Sequence, residues 1–354
     1  MTAPSIEISV VVPCWNVEPY LARCLESVFA ALPASAEVLA VDDGSTDTTL
    51  SILESFAKDE PRLKVVGRPH RGVSAARNAA LDMAKGRLVF FVDPDDTVHG
   101  DYFSAMTAAL DRDGADVCVC AYEGSPLKGD YRFRTNAEIR AGYLPRVFGY
   151  SFDDVRAWYA GKPLFSDREV AGVWRLALRR ELLENVRFDE TIELYEDAMF
   201  VSEVLLRAKS MTCVPQEIYC VTARDDGAMR SIPRDGARLC RNKLRLLAKR
   251  RALDEAEGGA LGPLYAASCV FSALEILSCT IHGRLPRSEG LKCLRVYLSD
   301  PSVRSSVKAF PLSWKKPIVA AAVVALRLRY VKLLPFRHAE EIEITTTRKE
   351  NDHA

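Results

Sequence analysis

The first 125 residues alternate short apolar runs, rich in β-branched residues, with amphipathic stretches of helical length. Neighbouring parallel strands need a long crossover between them, usually a helix, so this alternation predicts a largely parallel sheet covered by helices. The predicted strands cover residues 8–13, 37–43, 63–67, 87–93 and 115–121, and the predicted helices lie near 18–31, 47–58, 72–84 and 101–112. We therefore expect an α/β protein with a Rossmann-like, nucleotide-binding layout.

The rest of the chain has a less regular pattern. Between residues 126 and 232 we predict a helix over 173–184, a second helix near 196–209 and a strand pair near 210–222. Residues 233–354 are predicted to be mainly helical, with a disordered tail. This segment is an extension of the α/β part.

Charge and cysteine content limit the partners and the compartment. The 48 basic and 48 acidic residues cancel, so no overall field attracts nucleic acid, and we expect no nucleic-acid partner. The ten cysteines include no CxxC pair, which indicates free thiols in a reducing compartment. The first residues do not resemble a signal peptide, and the longest apolar run, 318–326, is too short to span a bilayer. We expect a cytoplasmic protein, at most peripheral on the membrane.

Polar residues follow three of the predicted strands. In an open parallel sheet, ligands bind beyond the carboxyl ends of the strands, so these residues are the first candidates for a site. The first strand ends in Pro13-Cys14-Trp15-Asn16, the second in Asp42-Asp43-Gly44, and the fourth in Asp93-Pro94-Asp95-Asp96. One aromatic side chain and two acidic turns are thus predicted to share one edge.

The acidic turn after the fourth strand is the most informative stretch. Crowded carboxylates repel one another, and Mg²⁺ or Mn²⁺ binds through one or two carboxylates plus substrate phosphates. The turn is therefore a candidate site for a metal and a diphosphate. The alternative is that Asp95 and Asp96 cap the following helix while Asp93 is solvated.

The other candidates also allow two interpretations each. Asp43 can accept hydrogen bonds from a nucleobase or a ribose, or belong to an ordinary turn. Trp15 can stack on a base or lie in the core. Arg77 can bind a ligand carbonyl or phosphate, or lie on a solvated helix face. Asp197 can act as a general base, or simply be favoured in the first turn of a helix.

Five stretches in this order resemble a family 2 glycosyltransferase of the GT-A fold. They are VVPCWNVEPYLARCLESV, VLAVDDGSTDTT, RGVSAARNAALDMAKGRLVFFVDPDD, VWRLALRRELLENVRFDE and ELYEDAMF, and the resemblance covers about the first 230 residues. It implies an inverting hexosyltransferase with a nucleotide-sugar donor, usually a UDP-sugar, and a divalent cation, Mn²⁺ or Mg²⁺. It also implies a donor-binding half at 1–125, an acceptor-side half at 126–232 and a separate extension at 233–354.

The resemblance also implies roles for individual residues. At matching positions, Asp197 corresponds to the catalytic base, and Asp95 and Asp96 correspond to the metal-binding residues. The residues that correspond to donor-binding positions are Pro13, Trp15, Asp43, Arg77, Asp93 and Asp95. Trp174 and the Arg179-Arg180 pair either border the acceptor groove or serve packing and solvation, and Arg224 or Arg230 can reach the diphosphate.

Two other functions are compatible with parts of the sequence. VFFVDPDDT fits the motif of haloacid-dehalogenase-like phosphatases, with Asp93 as nucleophile and Asp95 as acid, although two strand-end motifs precede it here. A non-catalytic, Mg²⁺-dependent nucleotide-binding module would explain the acidic turn but has no need of Asp197.

Basic residues surround the apolar stretch near the end of the chain, and they are Lys315, Lys316, Arg327, Arg329, Lys332 and Arg337. Residues 310–340 can thus form a basic amphipathic segment in a membrane interface, or a helix that packs on its own domain. The first alternative implies a lipid-linked acceptor or a growing surface glycan.

Overall fold

A computed structural model describes residues 6–127, 129–148, 172–222, 236–281 and 285–310, together with Val323 and Leu326. The first half has the predicted alternation. Its elements are β1 (Ile8–Cys14), α1 (Glu18–Ala31), β2 (Ala36–Asp42), α2 (Thr49–Asp59), β3 (Leu63–Gly67), α3 (Val73–Met83), β4 (Leu88–Phe91), β5 (Thr97–Val98), α4 (Tyr102–Asp113) and β6 (Val117–Ala121).

The second half adds short strands and more helices. They are α5 (Asn136–Gly142), α6 (Leu144–Phe148), β7 (Leu176–Arg179), α7 (Glu196–Arg207), β8 (Met211–Glu217), β9 (Tyr219–Cys220), α8 (Gly236–Ala256), α9 (Gly262–Ile281), α10 (Arg287–Ser299) and α11 (Pro301–Ala309). The α/β fold class with a helical C-terminal region is confirmed.

Seven strands form one mixed sheet in the order β3-β2-β1-β4-β7-β6-β8. β1 pairs in parallel with β2 on one side and with β4 on the other. The strands that follow β1 in sequence, β2 and β3, therefore lie on one side of it, and β4 is added on the opposite side. Such a reversal of strand order opens a crevice at the carboxyl ends of β1 and β4. All positions of β1, β2 and β4 are buried, as expected for strands covered on both faces.

The prediction of one helix over residues 173–184 is wrong. The segment forms two short 3₁₀ turns on either side of β7, which pairs antiparallel with β4 and β6. Leu176, Ala177 and Leu178 are all buried because the strand lies inside the sheet and is covered on both faces. A short apolar run of this kind has no period that separates a strand from a helix.

The predicted strand pair near 210–222 is only partly right. Both strands exist, but they do not pair with each other. β8 extends the large sheet in parallel with β6, and β9 pairs with β5, the two-residue strand that directly follows the acidic turn. The second pairing brings Tyr219 next to that turn, a contact between residues more than 120 positions apart.

The chain divides into two compact units. One comprises residues 1–232 and 242–268, and the other comprises 233–241 and 269–354. In the second unit, α10 buries Leu294, Tyr297 and Leu298, and Asp300 caps α11 by accepting hydrogen bonds from the backbone N–H groups of Ser302 and Val303. The division of the chain at residues 125 and 232 stays a prediction.

Two further observations concern compartment and membrane. All ten cysteines are free thiols, in agreement with the prediction. Within the described ranges, no helix combines the length and the apolar character needed to cross a membrane. The basic segment predicted at 310–340 lies almost entirely outside the described residues.

Candidate functional site

The candidate site lies at the carboxyl ends of β1, β2 and β4. Cys14 pairs with Asp42 at the ends of β1 and β2, and the N–H of Val92 donates to the carbonyl of Val11 at 3.0 Å. The residues that follow these strands therefore meet at one edge of the sheet. This edge includes the crevice beside β1.

Trp15 follows β1 and is 50% exposed, so it is not a core residue. Its ring stacks on His70, with centroids 4.6 Å apart and an interplanar angle of 24°. The left-handed residue Asn16 (φ 50°) accepts a hydrogen bond from the N–H of Thr46 at 2.8 Å. Pro13, in contrast, is buried within β1 opposite Val41, one residue before the strand ends.

Asp43 fixes the loop that carries His70. It is 2% exposed and accepts hydrogen bonds from the backbone N–H groups of Arg71 at 3.1 Å and Gly72 at 2.6 Å. The Nδ1 atom of His70 lies 2.9 Å from the same carboxylate. Gly44 has a φ of 72°, and a Cβ there would lie 2.7 Å from the backbone nitrogen of His70, so this close approach requires glycine. Asp43 thus positions the Trp15 and His70 stack.

The acidic turn after β4 is held by a buried tyrosine. The hydroxyl of Tyr219 accepts from the N–H of Asp93 at 3.1 Å and donates to Asp96 at 3.0 Å. Asp96 also accepts from the N–H of Thr222 at 2.7 Å and is 4% exposed. Both oxygens of Asp96 therefore bind β9 and the residue beyond it, and Asp96 does not cap α4. Asp95 is partly exposed at the tip of the turn.

The turn carries negative charge that is costly to bury. Burial raises the pKa of Asp93 to about 6, although the Arg77 guanidinium acts in the opposite direction. Burial, followed by repulsion from Asp93, raises the pKa of Asp96 to about 7. The charge of Asp95 raises both values further. A bound cation would relieve this repulsion.

Arg77 is buried on α3 and does not lie on a solvated helix face. It is 4% exposed on α3, and its guanidinium binds three carboxylates. One terminal nitrogen lies 2.6 Å from Asp197 and 3.2 Å from Glu196, and the other lies 3.2 Å from Asp93. Arg77 therefore connects the acidic turn to α7, and its contact with a donor stays a prediction.

Asp197 lies in the first turn of α7 and faces the acidic turn across Arg77. Its second oxygen lies 3.4 Å from the N–H of Val173. Burial raises the pKa of Asp197 to about 7. The charge of Arg77 lowers this pKa, whereas Glu196 raises it further. A carboxylate that changes its protonation state near neutral pH has the property that a general base requires.

The residues considered for an acceptor groove have internal partners. Trp174 is buried and stacks on Tyr219 with centroids 4.6 Å apart. Arg179 donates to the carbonyl of Ala115, and Arg180 to that of Gly86. These contacts favour the packing interpretation. Arg224 and Arg230 lie outside the described residues.

Sequence reasoning missed the functional positions of Tyr219 and His70. Tyr219 lies within the strand pair predicted near 210–222, and nothing local indicates that β9 pairs with β5. His70 precedes the helix of Arg77 by a few residues, so a search for aromatic residues near the strand ends could have included it.

The donor set at the turn fits a divalent cation that is completed by substrate. Within the part of the chain that the structure describes, no group of three or more His, Cys, Asp or Glu side chains forms a complete metal site. The partly exposed Asp95 and the excess negative charge around it fit a Mg²⁺ or Mn²⁺ ion that takes its remaining ligands from phosphates and water.

Comparisons with known proteins agree with this geometry. Residues 9–166 match the family model described as Glycosyl transferase family 2. The uncharacterized glycosyltransferase EpsJ of Bacillus subtilis is 28% identical over 218 residues, which are 60% of each chain. The succinoglycan biosynthesis protein ExoO of Rhizobium meliloti is 28% identical over 241 residues, 66% of this chain and 67% of ExoO. The chain thus spans about 60% of the length of EpsJ.

Solved structures show the same fold. A crystal structure of residues 1–349 of TarS from S. aureus, in complex with UDP-GlcNAc, has a TM-score of 0.60 at 20% identity. The alignment covers 94% of this chain and 93% of that one. A second crystal structure of TarS has a TM-score of 0.56 at 21% identity and covers 92% of this chain and 55% of that one. The predicted GT-A fold is therefore confirmed.

Proposed function

We propose that this chain, in which residues 9–166 match the family model described as Glycosyl transferase family 2, transfers a sugar from a nucleotide donor to a hydroxyl group of an acceptor, with inversion at the anomeric carbon. One observation carries the proposal. Arg77 binds Asp93 of the acidic turn and Asp197 of α7 at the same time. A donor-side carboxylate and a candidate base are thereby held on opposite sides of one buried guanidinium.

The donor is proposed to be a UDP-sugar. The exposed ring of Trp15 offers a stacking surface for a planar base, and the loop fixed by Asp43 lies beside it. The complex of TarS with UDP-GlcNAc supports a uridine nucleotide, because that protein shares the fold of this chain. Asp43 is proposed to act on the base mainly through His70 and the loop, since its oxygens already accept hydrogen bonds from that loop.

A divalent cation is proposed to bind at the acidic turn, where Asp95 and Asp96 would hold it. Such an ion, when bound, neutralises the charge that develops on a departing diphosphate. Tyr219 and Thr222 hold Asp96, so the tip of the turn keeps its shape whether or not a cation is present. Asp93 is proposed to connect the turn to Arg77.

Asp197 is proposed to take the proton from the acceptor hydroxyl while the hydroxyl oxygen attacks the anomeric carbon of the sugar. An attack from the face opposite the diphosphate breaks the bond to the leaving group in one displacement, which inverts the configuration. Arg77 keeps part of the Asp197 population ionised near neutral pH, because its positive charge opposes the effect of burial.

The acceptor is proposed to be a glycan or a lipid-linked sugar. The name of ExoO, a succinoglycan biosynthesis protein, supports a role in polysaccharide synthesis. A peripheral membrane contact through 310–340 would bring such an acceptor to a cytoplasmic enzyme.

The experiment that tests this function is a donor screen. Purified protein is incubated with UDP-, GDP- and TDP-sugars in the presence of Mn²⁺, and nucleoside diphosphate release is measured. We expect release from at least one UDP-sugar, and loss of that release with EDTA. Absence of turnover on every nucleotide sugar, together with no thermal stabilisation by UDP and Mn²⁺, would refute the proposal. Phosphate release from simple phosphomonoesters would instead favour the phosphatase that uses Asp93.

A further inference from the structure

The segment before α7 contains an unfavourable backbone conformation close to Asp197. Tyr195 has a φ of 69° and a ψ of 21°, the left-handed region that a tyrosine seldom adopts. Glu196 and Asp197 follow it directly. The direction in which Asp197 points therefore depends on whatever holds Tyr195 and the two residues before it in this conformation.

Asn242 of α8 provides the hydrogen bonds that hold this segment. Its Oδ1 atom accepts from the N–H of Glu193 at 2.8 Å and from the N–H of Leu194 at 3.2 Å. Its Nδ2 group donates to the carbonyl of Leu194 at 3.3 Å. Asn242 is 3% exposed, so water cannot easily replace these three bonds.

Other residues of α8 contact the same region. The ammonium group of Lys243 lies 4.6 Å from the centre of the Tyr195 ring. Arg245 donates to the carbonyl of Thr191 at 2.7 Å, and Lys249 forms an ion pair with Glu203 on α7. Asn242, Arg245 and Lys249 are spaced by three and four residues and so share one helix face. This face lies along the segment from residue 191 to 203.

We propose that Asn242 is a positioning residue for the transfer reaction, which fixes residues 193–195 and thereby the orientation of Asp197. It lies well beyond residues 9–166, the part that matches the family model. The inference rests on the proposed function of Asp197. It also assigns the middle of α8 to the catalytic apparatus.

Asn136 offers a matched control at the other end of α7. Its side chain donates to the carbonyls of Leu205 and Ala208 at 3.0 and 2.6 Å. Asn136 thus bonds the C-terminal end of α7, whereas Asn242 bonds the segment just before its N-terminus, both by side-chain to backbone hydrogen bonds. The two ends of a 12-residue helix are separated by roughly 16 Å, so only Asn242 is near Asp197.

The test compares Asn242→Ala, Asn242→Asp and Asn136→Ala in the full chain. We expect kcat for UDP release to fall about 10- to 100-fold in Asn242→Ala, with the UDP dissociation constant within about twofold of wild type. Asn242→Asp keeps the acceptor for both N–H groups and recovers most of kcat. Asn136→Ala keeps kcat within about twofold, although it loses a comparable amount of thermal stability. Asn242→Ser replaces the alanine variant if that one does not fold.

Amide hydrogen exchange supplies a readout that does not depend on turnover. We expect faster exchange at residues 193–199 in Asn242→Ala and unchanged exchange there in Asn136→Ala. Unchanged exchange at 196–199, or equal losses of kcat in the two alanine variants, would overturn the inference. Failure of the donor screen would instead refute the proposed function, and the exchange result would still show whether Asn242 fixes this segment.

Discussion

At the scale of single residues, the site depends on how three carboxylates share one guanidinium while a fourth carboxylate lies in the same acidic turn. Asp93, Glu196 and Asp197 contact Arg77 directly, and Asp96 lies on the Tyr219 side of the same turn. Burial favours the neutral forms of Asp93 and Asp197, whereas Arg77 favours their charged forms. The balance leaves Asp197 with a pKa of about 7.

This balance predicts the pH dependence of turnover. A base must be unprotonated to accept a proton, so kcat is expected to rise with pH through about 7 and then level off. Steady-state kcat for the best donor between pH 5 and 9 measures the rise. A kcat that stays constant or falls between pH 6 and 8 would contradict the assignment of Asp197.

Several single-residue roles could not be predicted from the sequence. The residue types at the strand ends were sufficient to locate Trp15, Asp43 and the acidic turn at one edge. They could not show that Arg77 is buried, because its partners Glu196 and Asp197 lie about 120 residues further along the chain. Contacts across that distance depend on the tertiary fold rather than on local pattern.

At the scale of elements, the turn between α3 and β4 must come very close to β1. A Cβ added to Gly86 would lie 2.6 Å from the carbonyl carbon of Ile8, and it would also approach the backbone nitrogen of Ser9. The side chain of Ser9 accepts from the N–H of Gly86 at 2.8 Å and holds the turn in place. Only glycine fits here.

Gly86→Ala is therefore expected to lower the free energy of unfolding by about 3 kcal/mol or more, because backbone atoms must move to admit the methyl group. Gly100→Ala is the matched control, since a Cβ there meets no atom within 4 Å. We expect a change within about 0.5 kcal/mol for the control. Urea unfolding measures both, and equal stabilities of the two variants would contradict this account of the turn.

Some strands and helices were predicted well from the sequence, and others were not. The parallel strands and their crossover helices were predicted to within about two residues, since the strands are continuous apolar runs that alternate with amphipathic helices. β7 was mistaken for a helix, because its three buried residues are too few to show a period and are flanked by residues typical of helices. The pairing of β5 with β9 was missed because both strands are only two residues long.

At the scale of the whole molecule, the resemblance implied that the α/β part ends near residue 232. Residues 242–268 nevertheless belong to the same compact unit as residues 1–232. They include Leu246 and Leu247, which are 1% and 4% exposed, together with Asn242. The family motifs end before these residues, so no motif indicated their place.

A chain ending at residue 232 is expected to unfold at a temperature at least about 10 °C lower than the full chain. Burial of each leucine contributes about 1.5–3 kcal/mol, and the hydrogen bonds of Asn242 are lost as well. Differential scanning calorimetry of the two chains measures the difference. An unchanged melting temperature would show that the boundary at 232 is a true domain boundary.

The central claim is that Asp197 is the base of a nucleotide-sugar transfer that takes place at the acidic turn. The most direct measurement is kcat of Asp197→Asn on the preferred UDP-sugar, with the UDP dissociation constant in Mn²⁺ determined in parallel. We predict a loss of kcat of about 10²- to 10⁴-fold with UDP binding within about threefold of wild type. A variant that keeps more than about a tenth of wild-type kcat would contradict the claim.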